Sequence, residues 1–193
     1  MLGLKLPTDP RWVNLAEKSI SEIFTDHAYC EQKAASTCIS LIQAYPECTR
    51  LVEELSPIVT EEWGHFRQVL TEMKKRGAVF GRQRKDEYVI QLRKLMYGGG
   101  SRIDQLCERL LISALIEARS CERFRLLSEG LEDESLRIFY RSFMESEAGH
   151  YRLFIDLANE YCEKEKVKKR WNELLAAEAE IIRTLDVKGE RVH

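Results

Sequence analysis

A chain of 193 residues with 44% hydrophobic and 32% charged side chains has the composition of a folded globular domain, not of a disordered or fibrous protein. Its formal charge of −2 gives no overall attraction to nucleic acid or anionic membrane, and no run approaches the roughly 18 apolar residues of a membrane span. The opening MLGLKLPTDP lacks the layout of a signal peptide, and Cys30, Cys38, Cys48, Cys107, Cys121 and Cys162 form no C-x-x-C pair, so the expectation is a cytoplasmic protein with reduced thiols.

Apolar residues recur at three- and four-residue steps along the chain and strand-like alternation is absent, which predicts an all-α fold. Asp9-Pro10 opens a helical stretch that reaches Tyr45, with a break near Ser19 to Ser21, and Pro46 stops it. The second helix is predicted from about Glu47 to Arg76, ending at Gly77, with Pro57 kinking or restarting it and Ser56 as the cap. Residues 77–101 form a long connection with a short amphipathic helix at about 86–97, closed by Gly98-Gly99-Gly100. The third helix runs from about Ile103 to Glu129 and ends at Gly130; Asp133 caps a fourth that reaches about Tyr161. A last helix at about 167–186 leads to a polar tail. Two long hairpins joined by one long crossover describe a ferritin-like four-helix bundle, read as a single domain over 1–193 with its core at about 20–161.

Two histidines close an E-x-x-H: Glu62–His65 in EEWGH and Glu147–His150 in ESEAGH. Helical positions three apart share a face, so each pair can aim a carboxylate and an imidazole at one ion. One such pair is a weak signal, and the register between helices strengthens it. Mirrored about the first turn, Glu62 pairs with Glu31; about the second, Glu147 pairs with Glu117. Antiparallel helices rise equally in both directions, so mirrored residues stand at one height. The hairpins also repeat one another: 86 residues separate Glu31 from Glu117, and 85 separate Glu62 from Glu147 and His65 from His150.

Each of the four glutamates interrupts an otherwise apolar stripe, such as Ile20, Phe24, His27, Glu31, Ala34, Cys38, Leu41, Tyr45. Burying an unpaired carboxylate costs several kcal/mol, so four at one level with two imidazoles imply a cation cage. Four carboxylates neutralise two divalent ions, and a carboxylate–imidazole donor set suits iron or manganese. Glu122 is the rival to Glu117 on the third helix but breaks both the turn symmetry and the repeat; it stays a neighbouring candidate, with His27 and Tyr151. Tyr29 and Trp63 flank the ligands, and core packing is the simpler reading for both.

DPRWV, DHAYCEQKAAST, EEWGHFRQVL and above all LIEARSCERF resemble the bacterial tRNA-(2-methylthio-N6-isopentenyladenosine) hydroxylases across nearly the whole bundle. The resemblance implies an O2-dependent non-haem di-iron monooxygenase that hydroxylates the isopentenyl side chain of a hypermodified adenosine in tRNA. It also implies two iron ions held by Glu31, Glu62, His65, Glu117, Glu147 and His150, an electron-donor protein or reductase, and no membrane partner. For phosphate contacts the one strongly basic run, KKRGAVFGRQRK, offers Lys74, Lys75, Arg76, Arg82, Arg84 and Lys85. The alternative is another ferritin-like di-iron protein, a rubrerythrin-like peroxidase or an iron store; the C-x-x-C module common in rubrerythrins is missing.

Overall fold

The computed structural model describes residues 2–187, and every regular element within them is a helix. In chain order these are α1 (Trp12–Lys18), α2 (Ile20–Ala44), α3 (Thr49–Lys75), α4 (Glu87–Lys94), α5 (Arg102–Gly130), α6 (Glu134–Tyr161) and α7 (Lys164–Val187). The all-α class expected from periodicity is the class found. The polar tail falls at 188–193, outside the described residues. The chain divides into two compact units: Leu15–Lys85, and the segments up to Asn14 and from Asp86 onward.

In the unit Leu15–Lys85, α2 and α3 form a hairpin. The break before α2 falls at Ser19, inside the stretch expected for it. Pro46 pushes Tyr45 out of helical geometry, and α2 ends at Ala44. Phe24, Ala28, Ala35, Cys38 and Leu41 on α2 are buried, as are Leu51, Leu55, Phe66, Val69 and Met73 on α3. Pro57 does not restart α3, contrary to expectation: the helix is continuous, and the Ser56 hydroxyl donates to Val52 O at 2.6 Å instead of capping a new start. The reason lies in the face. Glu53 and Pro57 are both exposed, so the carbonyl that loses its helical donor meets water rather than a dry core. At the other end Gly77 takes φ +67, and Ala78 N donates to Met73 O at 2.9 Å, the Schellman closure that needs a left-handed residue.

Residues 78–86 then run on without regular structure, tied back to α2. Tyr29 Oη donates to Gly81 O at 3.1 Å, the Phe80 ring lies 4.7 Å from that of Tyr29, and Arg84 pairs with Asp26 and Glu22.

In the other unit α5 and α6 form the second hairpin, accompanied by α4 and α7. Ser101 and Asp104 build a reciprocal capping box on α5, and Asp133 caps α6 by accepting from Ser135 N and Leu136 N. Gly130 ends α5 where Val13 comes close: a Cβ there would meet Val13 Cγ1 at 3.1 Å. Arg119 of α5, 1% exposed, donates to Leu6 O and Thr8 Oγ1 and pairs with Glu122 and with Glu178 of α7. Tyr88 of α4 donates to the same Glu178 at 3.1 Å. One guanidinium thus ties the N-terminal segment to α5 and α7, and Glu178 carries the link on to α4.

Candidate metal centre

Each hairpin carries its own triad of buried ligand-type side chains. In the first, Glu31 comes from α2 and Glu62 and His65 from α3, the E-x-x-H spacing placing the last two on one face. His65 Nδ1 lies 3.3 Å from Glu31 Oε2 and 3.4 Å from Glu62 Oε2. All three residues offer a ligand atom within 4.8 Å of the others. The mirrored register is therefore real in this hairpin: Glu31 is 3% exposed and reaches the histidine of the facing helix.

In the second hairpin Glu117 comes from α5 and Glu147 and His150 from α6. Their ligand atoms again fall within 4.8 Å of one another, with His150 Nδ1 3.6 Å from Glu147 Oε2. Glu117 is 7% exposed. The two E-x-x-H pairs adopt nearly the same local geometry, 3.4 Å and 3.6 Å between the same atom types.

Carboxylates this deeply buried beside imidazoles are unfavourable unless a cation neutralises them. Two carboxylates and one imidazole in each hairpin fit a divalent ion with a preference for oxygen and nitrogen donors, such as iron or manganese, and no thiolate joins either triad. The donor chemistry fits metal binding.

The neighbouring candidates separate clearly. His27 Nε2 sits 2.8 Å from Glu31 Oε1, so it orients that carboxylate from one helical turn away. Burial, first, and then the nearby His65 push its basicity down to about 3, and the charge of Glu62 opposes them; His27 is a neutral imidazole at physiological pH. Glu122 is buried as deeply as Glu117, yet its oxygens are taken by Thr8 N at 2.8 Å, Thr8 Oγ1 at 2.6 Å and Arg119. It serves the arginine network, not the triad. Tyr151 leans its ring toward Trp171 of α7 at 5.9 Å, a packing contact.

The basic run 74–85 is less free than its sequence suggests. Lys75 and Arg76 pair with Glu72, and Arg84 with Asp26 and Glu22. Lys74 and Arg82 are exposed and carry no ion pair among the described residues, and Lys85 is exposed.

Two features escaped the sequence reading. Arg119 sits in the mixed run IEARSCER of α5, and only the partners brought from residues 6–8 and from α7 single it out. Gly64 and Gly149 each stand one residue before a triad histidine, a repetition visible in WGH and AGH but unread; a Cβ at either would meet nothing within 4 Å.

Comparison with known proteins follows the same lines. A curated protein of Pseudomonas putida named tRNA 2-(methylsulfanyl)-N(6)-isopentenyladenosine(37) hydroxylase is 37% identical over 183 residues, covering 95% of this chain and 88% of its own. One of the same name from Salmonella typhimurium is 27% identical, covering 81% of this chain and 75% of its own. Among solved structures, a protein from Synechococcus described as having aldehyde deformylating oxygenase activity superposes with a TM-score of 0.86 at 35% identity, covering 91% of this chain and 86% of that one. Two helical hairpins joined by a long crossover, with this neighbour, place the fold in the ferritin-like class. Residues 2–193 match the model of one family, and the chain belongs to it: the tRNA-(MS[2]IO[6]A)-hydroxylase (MiaE) family.

Proposed function

We propose that this protein is a cytoplasmic non-haem di-iron monooxygenase that hydroxylates the isopentenyl side chain of 2-methylthio-N6-isopentenyladenosine in tRNA. Glu31, Glu62, His65, Glu117, Glu147 and His150 are its ligand set. The observation that carries the reading is the pair of matching triads, buried glutamates around a buried histidine in each hairpin of a chain of this family.

The target carbon is unactivated, and hydroxylating it takes an oxidant stronger than any side chain. Two iron ions, O2 and electrons from a donor protein would supply that chemistry. The chain's own residues do the rest. Glu31, Glu62, Glu117 and Glu147 offer the four negative charges that two divalent ions need, and His65 and His150 add neutral nitrogen donors. His27, held neutral by burial, fixes one oxygen of Glu31 so that the other stays turned toward His65. Apolar neighbours such as Phe24, Ala28, Ala114 and Phe143 keep bulk water from the ligands.

The solved relative whose description names aldehyde deformylation raises a second reading, an aldehyde substrate on the same donor set. One experiment separates them. Nucleosides from tRNA of a strain lacking this protein are analysed by mass spectrometry, with the strain complemented by wild type, Glu31→Ala or Glu117→Ala. The proposal expects the unhydroxylated precursor to accumulate, wild type to restore the hydroxylated base, and neither variant to do so while both purify with less iron. A hydroxylated base that persists in the deleted strain defeats the tRNA reading, and release of a shortened hydrocarbon from a fatty aldehyde by the purified protein would favour the second.

A further inference from the structure

A row of aromatic rings crosses the surface of the unit Leu15–Lys85, and the metal triad does not account for it. Trp63 packs on Phe66 at 4.9 Å, Phe66 meets Phe80 edge-on at 5.9 Å, and Phe80 lies on Tyr29 at 4.7 Å. The inner rings close the gap between α3 and the segment after it. The outer ones stay in water: Trp63 is 47% exposed, Phe80 38% and Val79 82%. A tryptophan left half in solvent contributes little to folding, and a contiguous exposed apolar patch marks a binding surface.

Cations frame the patch. Trp63, Arg67 and Lys74 follow one another at helical spacing along a single stripe of α3, and Arg82 lies two residues beyond Phe80. Arg67, Lys74 and Arg82 are exposed and carry no ion pair among the described residues, whereas nearby Lys75 and Arg76 share the carboxylate of Glu72 and Arg84 pairs with Asp26 and Glu22. In a chain of net charge −2, three unpaired cations on the helix and segment that carry these rings are a local departure toward positive potential. Exposed aromatic faces bordered by unpaired cations are what single-stranded nucleic acid requires: bases stack on the rings and phosphates meet the charges.

We propose that this face is the dock for the unpaired bases of the anticodon loop, with Trp63 and Phe80 as the stacking platform and Arg67, Lys74 and Arg82 as phosphate contacts. The inference rests on the tRNA reading above and adds where the RNA lands. Trp63 lies between the candidate ligands Glu62 and His65 in sequence, and its exposed ring stands on the outer face of α3 while those two side chains are buried. A side chain on an adenine can reach a buried centre only if that nucleotide leaves the stack of its neighbours, and the neighbours then need another surface to stack on.

The test measures binding of an anticodon stem–loop RNA carrying the isopentenylated adenosine to iron-loaded full-length protein, across a salt series. Trp63→Ala and Phe80→Ala are each expected to weaken binding about 10-fold or more with an unchanged salt slope, and Trp63→Phe to keep most of the affinity. Arg67→Gln and Arg82→Gln are expected to lower the slope by about one each. Circular dichroism and iron content, unchanged in all variants, separate docking from folding. If the Trp63→Ala/Phe80→Ala double variant binds the RNA like wild type, the platform is refuted while the tRNA function stands. If wild type itself does not bind the stem–loop, both fall together. If the aromatic variants keep RNA affinity but slow reduction by a reductase, the face belongs to the electron donor and the proposal is overturned.

Discussion

Gly64 and Gly149 show how a single residue type can be read at two levels. Glycine inside a helix costs roughly 0.5–1 kcal/mol relative to alanine, and neither position has the close neighbour that would require it, since an added Cβ meets nothing within 4 Å. Gly149 is exposed, so Gly149→Ala is expected to raise stability by about 0.5–1 kcal/mol in denaturant unfolding with iron content unchanged. Gly64 lies half-buried beside Trp63, and Gly64→Ala is expected to give the same gain in stability. A loss of stability at Gly149 would show that the helix there is strained in a way its backbone contacts do not reveal. At this scale the sequence was partly legible. E-x-x-H spacing places a carboxylate and an imidazole on one face whatever surrounds them, so Glu62–His65 and Glu147–His150 were readable directly. Whether Glu117 or Glu122 stood beside them was a matter of register, and both proved buried; Glu117 lies within 4.8 Å of the Glu147 and His150 ligand atoms, while Glu122 is engaged by Thr8 and Arg119.

Among the elements, α5 is the one whose neighbours decide its behaviour. Arg119 faces Glu122 one turn on and Glu178 of α7, and it reaches the backbone at Leu6. Burial pushes the Glu178 carboxyl up even though Arg119 and Tyr88 pull it down. Removing the cation would leave two buried carboxylates with neutral donors alone, Thr8 on Glu122 and Tyr88 on Glu178, so Arg119→Met is expected to cost about 3–5 kcal/mol, with part recovered when Glu122→Gln and Glu178→Gln are added. The sign of its pH dependence follows from Glu178. Without Arg119 its folded-state proton affinity rises further above the unfolded value, so folding takes up a proton. The variant's deficit is then largest at neutral pH and shrinks as pH falls toward the ordinary glutamate range; a deficit that grows on acidification contradicts this account. Helix limits were legible at Pro46, Gly77 and Asp133, whereas the Ser101–Asp104 capping box that starts α5 went unread. The restart expected at Pro57 did not occur because proline's penalty depends on which face its lost hydrogen bond lies on, and that is a property of packing.

For the molecule as a whole, metal and fold are linked by mass action: iron that binds only the folded protein stabilises it. If the triads hold the proposed iron, stripping it with a chelator is expected to lower Tm by several degrees while helical content at low temperature stays, because the apolar cores of the two units, with Phe24, Leu41 and Leu55 in one and Leu110 and Phe143 in the other, do not depend on the ion. Acidification should release iron as well, since protons compete for carboxylate and imidazole donors. A Tm indifferent to chelation argues against metal ligation by the triads. No helix among the described residues is long and apolar enough to cross a membrane.

The sequence by itself determined the helices, their caps and the glutamate–histidine repeat, because these depend on periodicity and on contacts within a few residues. Only the tertiary structure decided which buried carboxylates answer to an arginine and which stand beside a histidine. It alone separated Lys75, Arg76 and Arg84, which have carboxylate partners, from Lys74 and Arg82, which carry no ion pair among the described residues. Both are questions of partners distant in the chain, and a charge's role depends on the partner that folding brings to it.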